Sequence, residues 1–253
     1  MTQAHDLLAD KVVVVTAAAG TGIGSATARR CLEEGATVVI SDWHERRLGE
    51  TQAELASDHG DRVFAIPADV TDEQQVQNLV SGAVERCGRI DVMVNNAGLG
   101  GEKSVLDMTD DEWSRVLDVT LNGTFRCTRA VLRQMVEQRS GVVVNNSSVV
   151  GWRAQRGQAH YAAAKAGVMA FTRCAAMDVA EHGIRVNAVA PSLAAHPFLT
   201  KVTSEELLTE LASREAFGRA AEPWEVANVI VFLASDYSSY LTGEVVSVSS
   251  QHP

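Results

Sequence analysis

A tyrosine and a lysine four residues apart, Tyr161 and Lys165, stand in the alanine-rich run HYAAAKAG (160–167). Alanine is the strongest helix former, and residues i and i+4 are neighbours on a helix face. The two side chains therefore project together, either as an amphipathic surface pair or as a phenol held beside an ammonium. Spacing alone does not choose. A second feature, TAAAGTGIG (16–24), joins an apolar run to a helical pattern. Its Gly20, Gly22 and Gly24, with Ile23 among them, let a backbone approach a pyrophosphate at a helix N-terminus. Free N–H groups and the positive dipole end favour an anion there. A tight turn without a ligand is the plainer reading. Asp42 closes the next apolar run, eighteen residues beyond Gly24. A carboxylate there can accept both ribose hydroxyls of NAD and repel the 2′-phosphate of NADP. The alternative is a solvated strand-end charge or a helix cap, and the nearby Arg46 and Arg47 leave NADP open.

Positioning such groups requires a scaffold, and short β-branched runs alternate with helical patterns along the whole chain. Strands are expected at 11–17, 36–42, 62–69, 90–98, 141–148, 184–191 and 244–249. The first helix starts near Ser25 and stops at Gly35, a favoured residue just past a helix end. Thr71 with Gln74, and Thr109 with Glu112, have capping-box spacing. Pro223 suits the first position of a late helix. Seven strands separated by helices predict parallel βαβ units, a doubly wound α/β sheet and one domain over 1–253. The segment 192–217 interrupts the alternation and is where a substrate lid would sit.

Bulk properties narrow the partners. A net charge of −10 argues against a nucleic-acid or anionic-membrane surface. Cys31, Cys87, Cys127 and Cys174 are widely separated, which suits buried thiols in a reduced compartment. The seven histidines form no metal-ligand spacing, so no metal is expected. The N-terminal MTQAHDLLAD lacks the basic and apolar regions of a signal peptide, and no run is long enough to span a bilayer. A cytoplasmic protein with a small-molecule substrate is expected.

Taken in order, the motifs resemble the short-chain dehydrogenase/reductases over nearly the whole chain. The glycine loop is followed by Asp69-Val70, then Asn95-Asn96-Ala97-Gly98, then Ser148 and Tyr161-x-x-x-Lys165. RVNAVAP ending at Pro191, then Ser192, and finally Thr242-Gly243 complete the series. The resemblance implies a seven-stranded Rossmann sheet, a nicotinamide dinucleotide and a homotetramer. It implies that Asp69 and Val70 flank the adenine, that Asn95 lies beside the adenosine ribose, and that Val189 lies near the nicotinamide. Ala97, Gly98, Pro191 and Ser192 fall in the same cofactor-contacting motifs. It further implies a secondary alcohol/ketone oxidoreductase. Tyr161 would be the proton donor and acceptor, its pKa of about 10 lowered by the Lys165 ammonium. Lys165 would also hold the nicotinamide ribose, and Ser148 would orient the substrate oxygen.

The chain departs from the family pattern at several points. Ala17 stands where the family has glycine and the loop carries one extra residue, so a reshaped phosphate turn is expected. Thr120 occupies the place of the relay asparagine and is the fourth catalytic candidate, with a water in view. Ser192 and His196 replace a usual glycine and threonine, and SVSSQHP replaces the usual C-terminal motif. With GWRAQRGQ and AFGRAAEPWEVA, these departures resemble an actinobacterial branch of the family used in steroid catabolism, acting on a hydroxylated methyl-indane-carboxyl-CoA. Resemblance to 3-oxoacyl-carrier-protein reductases is nearly as close, and a dinucleotide-binding scaffold without catalysis is the reading outside enzymes. Arg153 and Arg156 fit a CoA or carrier phosphate, or are solvated loop charges. Both 110–138 and 159–182 carry apolar residues beyond one stripe (Val116, Val119, Phe125, Val131; Val168, Phe171, Met177). A second apolar face needs a partner, so these helices are expected to build the tetramer.

Overall fold

The computed structural model describes residues 3–195 and 205–250. Among them, β1 (Val12–Thr16), β2 (Thr37–Ser41), β3 (Val63–Ala65), β4 (Val92–Asn95), β5 (Gly141–Asn146), β6 (Ile184–Pro191) and β7 (Val245–Val248) form one sheet. Its order is β3-β2-β1-β4-β5-β6-β7, and every pairing is parallel. The expected doubly wound sheet is present. The strands are shorter than the apolar runs suggested, because IPAD, NAG and SS at the ends of the third, fourth and fifth runs leave the ladder as loops.

Side chains alternate across a strand, so neighbouring valines on β1 enter opposite cores. Val13 and Val15 meet Cys31, Leu32, Val38, Ile40 and Ile230 on one side. Val14 meets Val39, Leu79, Met93, Val131 and Val143 on the other. Helices α1 (Ile23–Glu33), α2 (Glu45–His59) and α8 (Pro223–Ala234) cover the first face; α3 (Glu73–Cys87), α5 (Gly123–Gln138) and α6 (Ala159–Val179) cover the second. Short helices α4 (Asp110–Leu117) and α7 (Glu205–Arg214) stand outside this layering.

Local chemistry sets the ends. Gly35 takes φ +91° after α1, the left-handed conformation that only glycine adopts cheaply. Thr109 and Glu112 form the expected capping box, and Pro223 opens α8 with a second box between Glu222 and Glu225. The expected cap at Thr71 is corrected. Asp72 caps α3 by accepting from the Gln74 and Gln75 amides, while the Thr71 hydroxyl donates to Asp69. A carboxylate is the stronger N-cap here because it can accept two amides at once.

A π turn over Asp118–Asn122 joins α4 to α5, so 110–138 is not one uninterrupted α-helix. Its apolar surplus is smaller than the sequence suggested. Val116, Val131 and Val168 lie in the chain's own core, whereas Phe125 and Met177 are exposed. Among the described residues no helix is long and apolar enough to cross a membrane, and no cluster of histidine, cysteine and acidic residues could hold a metal.

Candidate active site

The C-terminal ends of β1, β4, β5 and β6 converge on one crevice, at the point where the crossover direction reverses between β1 and β4. That is where open α/β sheets bind ligands. The turn after β1 supplies its floor. Gly20 and Gly22 face open space, with nothing within 4 Å of where a Cβ would stand. Helix α1 begins at Gly22 with no side-chain cap, so its first N–H groups remain available for an anion. Gly24 has a different duty. A Cβ there would lie 2.3 Å from the Ala17 carbonyl oxygen, so glycine is what lets α1 close on the turn. Ala17 takes φ +49°. Where a reshaped turn was expected, an alanine holds a left-handed conformation, at a cost of about 1–2 kcal/mol.

Asp42 lies at the tip of β2, buried, its carboxylate accepting the His44 amide at 2.9 Å and the Ala19 amide at 3.4 Å. It thus borders the glycine turn. Arg46, one of the two candidates for a 2′-phosphate, is paired with Glu50 at 2.8 Å. Asp69 accepts the Thr71 amide and hydroxyl, and Val70 packs beneath Gly123. An uncapped helix start, two open glycines and a strand-end carboxylate form a set that fits a dinucleotide.

Asn95 is the residue expected beside the adenosine ribose. Its amide is buried and donates to Thr128 Oγ1 and Asn145 Oδ1, both at 2.8 Å. The amide nitrogen is thus committed to the interior between β4, β5 and α5, while the buried Oδ1 has no hydrogen-bond partner among the described residues. Its neighbour Asn96, which sequence reasoning passed over, faces the crevice side and donates to the Thr16 and Ala17 carbonyls. Thr16 Oγ1 in turn accepts from the Asn96 and Ala97 amides.

The catalytic candidates meet at the end of β5. Ser148 follows the strand and caps a single 3₁₀ turn, Val149–Gly151. At Gly151 a Cβ would come within 2.7 Å of Met169 and 3.0 Å of the Ala166 nitrogen, so glycine lets this turn rest directly on α6. Ser147 Oγ donates to the Lys165 carbonyl at 2.9 Å and fixes the register. The result sets the Ser148 hydroxyl near enough to Tyr161 to pull its hydroxyl pKa down. Ser148 also reaches the Pro191 carbonyl at 3.4 Å, while the Ser192 amide donates to Val248. Gly98 and Gly100 pass beside Lys165 Nζ and the Tyr161 ring, and at both positions a Cβ would touch them.

Lys165 is buried, and its Nζ donates to the Asn146 carbonyl at 2.6 Å. It lies 5.5 Å from the centroid of the Tyr161 ring. Burial pushes the Lys165 ammonium down to about 8. Burial also pushes the Tyr161 hydroxyl up to about 12, against the pull of Ser148. The expected lowering of Tyr161 by Lys165 does not appear: burial raises the hydroxyl, and the Lys165 Nζ is bonded to the Asn146 carbonyl. Thr120 is fully buried on the π turn. Its hydroxyl accepts the Leu99 amide at 3.0 Å and donates to the Leu99 carbonyl at 3.3 Å, so its one proton is engaged. His196 lies outside the described residues, as does 196–204 of the expected lid.

Comparison with known proteins agrees with this geometry. A family model described as enoyl-(acyl carrier protein) reductase matches residues 17–250. A Mycobacterium tuberculosis (5R,7aS)-5-hydroxy-7a-methyl-1-oxo-2,3,5,6,7,7a-hexahydro-1H-indene-carboxyl-CoA reductase is 67% identical, the match covering 98% of this chain and 95% of that protein. A Thermotoga maritima 3-oxoacyl-[acyl-carrier-protein] reductase is 42% identical over 95% of this chain and 97% of its own. The crystal structure of a short chain dehydrogenase from Mycobacterium smegmatis superposes with a TM-score of 0.89 at 59% identity, covering 100% of this chain and 97% of that one.

Proposed function

Because the chain belongs to the short-chain dehydrogenase/reductase family and is an oxidoreductase using a nicotinamide dinucleotide, we propose that it interconverts a secondary alcohol and a ketone on a bicyclic, steroid-derived CoA thioester. The observation that carries the reaction type is Ser148 and Tyr161 gathered beside buried Lys165, whose Nζ is anchored on the Asn146 carbonyl under the Gly98–Gly100 strip. The substrate class follows from the 67% identity to the mycobacterial indene-carboxyl-CoA reductase. A 3-oxoacyl-carrier-protein substrate is the second reading, favoured by the 42% identical Thermotoga maritima relative.

The cofactor, when bound, supplies or takes up the hydride. The residues handle the proton. In reduction, the Tyr161 hydroxyl gives its proton to the substrate carbonyl oxygen; in oxidation, the phenolate oxygen takes it back. A phenol held protonated by burial is ready as the acid. Ser148 orients the substrate oxygen through its hydroxyl. Lys165, docked on the Asn146 carbonyl, holds positive charge beside the ring and would hold the nicotinamide ribose. Thr120 acts as a positioning residue, because its hydroxyl fixes Leu99 and thereby the Gly98–Gly100 strip over Tyr161. The glycine turn from Gly20 to Gly24 with Ile23, then Asp69, Val70, Ala97, Gly98, Pro191 and Ser192, frame the cofactor.

We assign NAD over NADP on Asp42, whose carboxylate borders the turn while Arg46 is neutralised by Glu50. The chain acts as one catalytic domain with its lid in 192–217, assembled as a homotetramer. Turnover of NADH with the indene-carboxyl-CoA ketone, set against 3-oxoacyl carrier protein, tests the reading. A specificity ratio favouring the acyl carrier would replace the first substrate class by the second.

A further inference from the structure

Asn146 is the last residue of β5, two before Ser148, and lies in none of the roles above except through its backbone carbonyl. Its side chain is placed by a chain of hydrogen bonds. Asn96 gives both protons of its amide nitrogen to backbone carbonyls, Thr16 at 3.2 Å and Ala17 at 3.1 Å. That commitment turns the Asn96 Oδ1 toward β5, where it accepts Asn146 Nδ2 at 2.9 Å. The orientation of the Asn146 amide follows, since only its nitrogen can answer an acceptor. Its Oδ1 is left buried with no protein partner. A buried acceptor without a donor costs on the order of 1–3 kcal/mol, and this one sits where β1, β4 and β5 end together at the ligand crevice.

We infer that Asn146 is a cofactor-binding residue, its side-chain oxygen accepting a hydrogen bond from the nicotinamide riboside half of the dinucleotide. The donors that half offers are ribose hydroxyls and the carboxamide nitrogen, and the vacant lone pairs of Asn146 accept from either. The same amide, through Asn96, joins the strand end that bears Ser148 and the Lys165 anchor to the left-handed residue of the phosphate turn. Two ends of one ligand are thus gauged by a single carboxamide ladder: Asn146, Asn96, Ala17. The inference rests on the dinucleotide reading of the crevice.

Fluorescence titration of the purified protein with NADH, and competition by ADP-ribose and by ADP, test it with no turnover required. Asn146→Val should weaken NADH about tenfold, the worth of one hydrogen bond to a buried acceptor, and leave ADP within twofold. ADP-ribose then separates the donors. Its affinity falls with that of NADH if a ribose hydroxyl is bound, and stays unchanged if the carboxamide is. Equal losses for NADH and ADP would reduce Asn146 to a tie for the phosphate turn and overturn the inference, as would no loss at all. Thermal melting checks the fold. Asn146→Ser, smaller and polar, should shift the NADH-to-ADP affinity ratio in the same direction, so the outcome does not hang on one variant. Failure of the folded wild type to bind NADH would be a different result, against the dinucleotide reading itself.

Discussion

At the scale of single residues the site sets two opposed titrations side by side. Burial holds the Tyr161 phenol protonated and disfavours charge on Lys165. Tyr161→Phe removes the acid and almost no volume, so turnover should fall more than tenfold while NADH binding persists; activity above a tenth of wild type would refute the role. Lys165 gives a stability signature as well. Its folded pKa of about 8 lies below the ordinary 10.5. Between those values the unfolded chain binds the proton and the folded one does not, so stability from this group rises with pH across that window. Tyr161, Cys31 and Cys127, raised to about 12 by burial, work the other way above their ordinary values. Comparing denaturation midpoints of wild type and Lys165→Met from pH 7 to 10.5 cancels those three. The wild type should gain relative to the variant as pH rises, and parallel curves would contradict a depressed lysine. Asp42→Ala should narrow the preference for NADH over NADPH. Tighter NADPH binding by the unaltered protein would contradict the assignment to NAD and point to Arg47 or Arg46.

Elements contribute by fixing where these residues stand. The glycine turn shows two separate uses of small residues: open space at Gly20 and Gly22, and close packing at Gly24. Ala17 is the expensive member, because its φ of +49° suits glycine. Ala17→Gly should raise stability by about 0.5–1 kcal/mol, the relief of left-handed strain less the added chain entropy, read as a higher melting temperature. Gly24→Ala is the contrasting case. Its Cβ would meet the Ala17 carbonyl oxygen at 2.3 Å and the Asn96 amide nitrogen at 2.6 Å, neither of which can yield freely. Loss of several kcal/mol together with loss of NADH binding is expected, and a neutral effect in both would show the turn to be more pliable than its contacts imply.

For the whole molecule, the surface carries apolar side chains that a monomer leaves in water. Trp113, Phe125 and Met177 lie along α4, α5 and α6, and Phe232, Tyr237 and Tyr240 lie at and after α8. Exposed apolar side chains on two groups of elements suit a closed assembly that covers them. Light scattering at micromolar concentration should give four times 27.1 kDa, and Phe125→Asp should yield a smaller species; a monomeric wild type would overturn the assembly. The sequence by itself determined the alternation of strands and helices, the glycine turn after β1 and the shared helix face of Tyr161 and Lys165, whereas Ser148 is named only through the resemblance to the family. Hydrophobic period, glycine spacing and i,i+4 geometry are local properties written in consecutive residues. Only the tertiary structure decided which polar groups face the crevice. Asn95 and Asn96 are adjacent and chemically identical, yet one is spent on Thr128 and Asn145 and the other on the turn. Arg30 with Glu34 and Arg46 with Glu50 share one spacing, yet the first pair is buried and the second exposed. Such assignments depend on what distant strands and helices bring against each side chain, and burial, which sets the pKa of Tyr161 and Lys165, is a property of that packing alone.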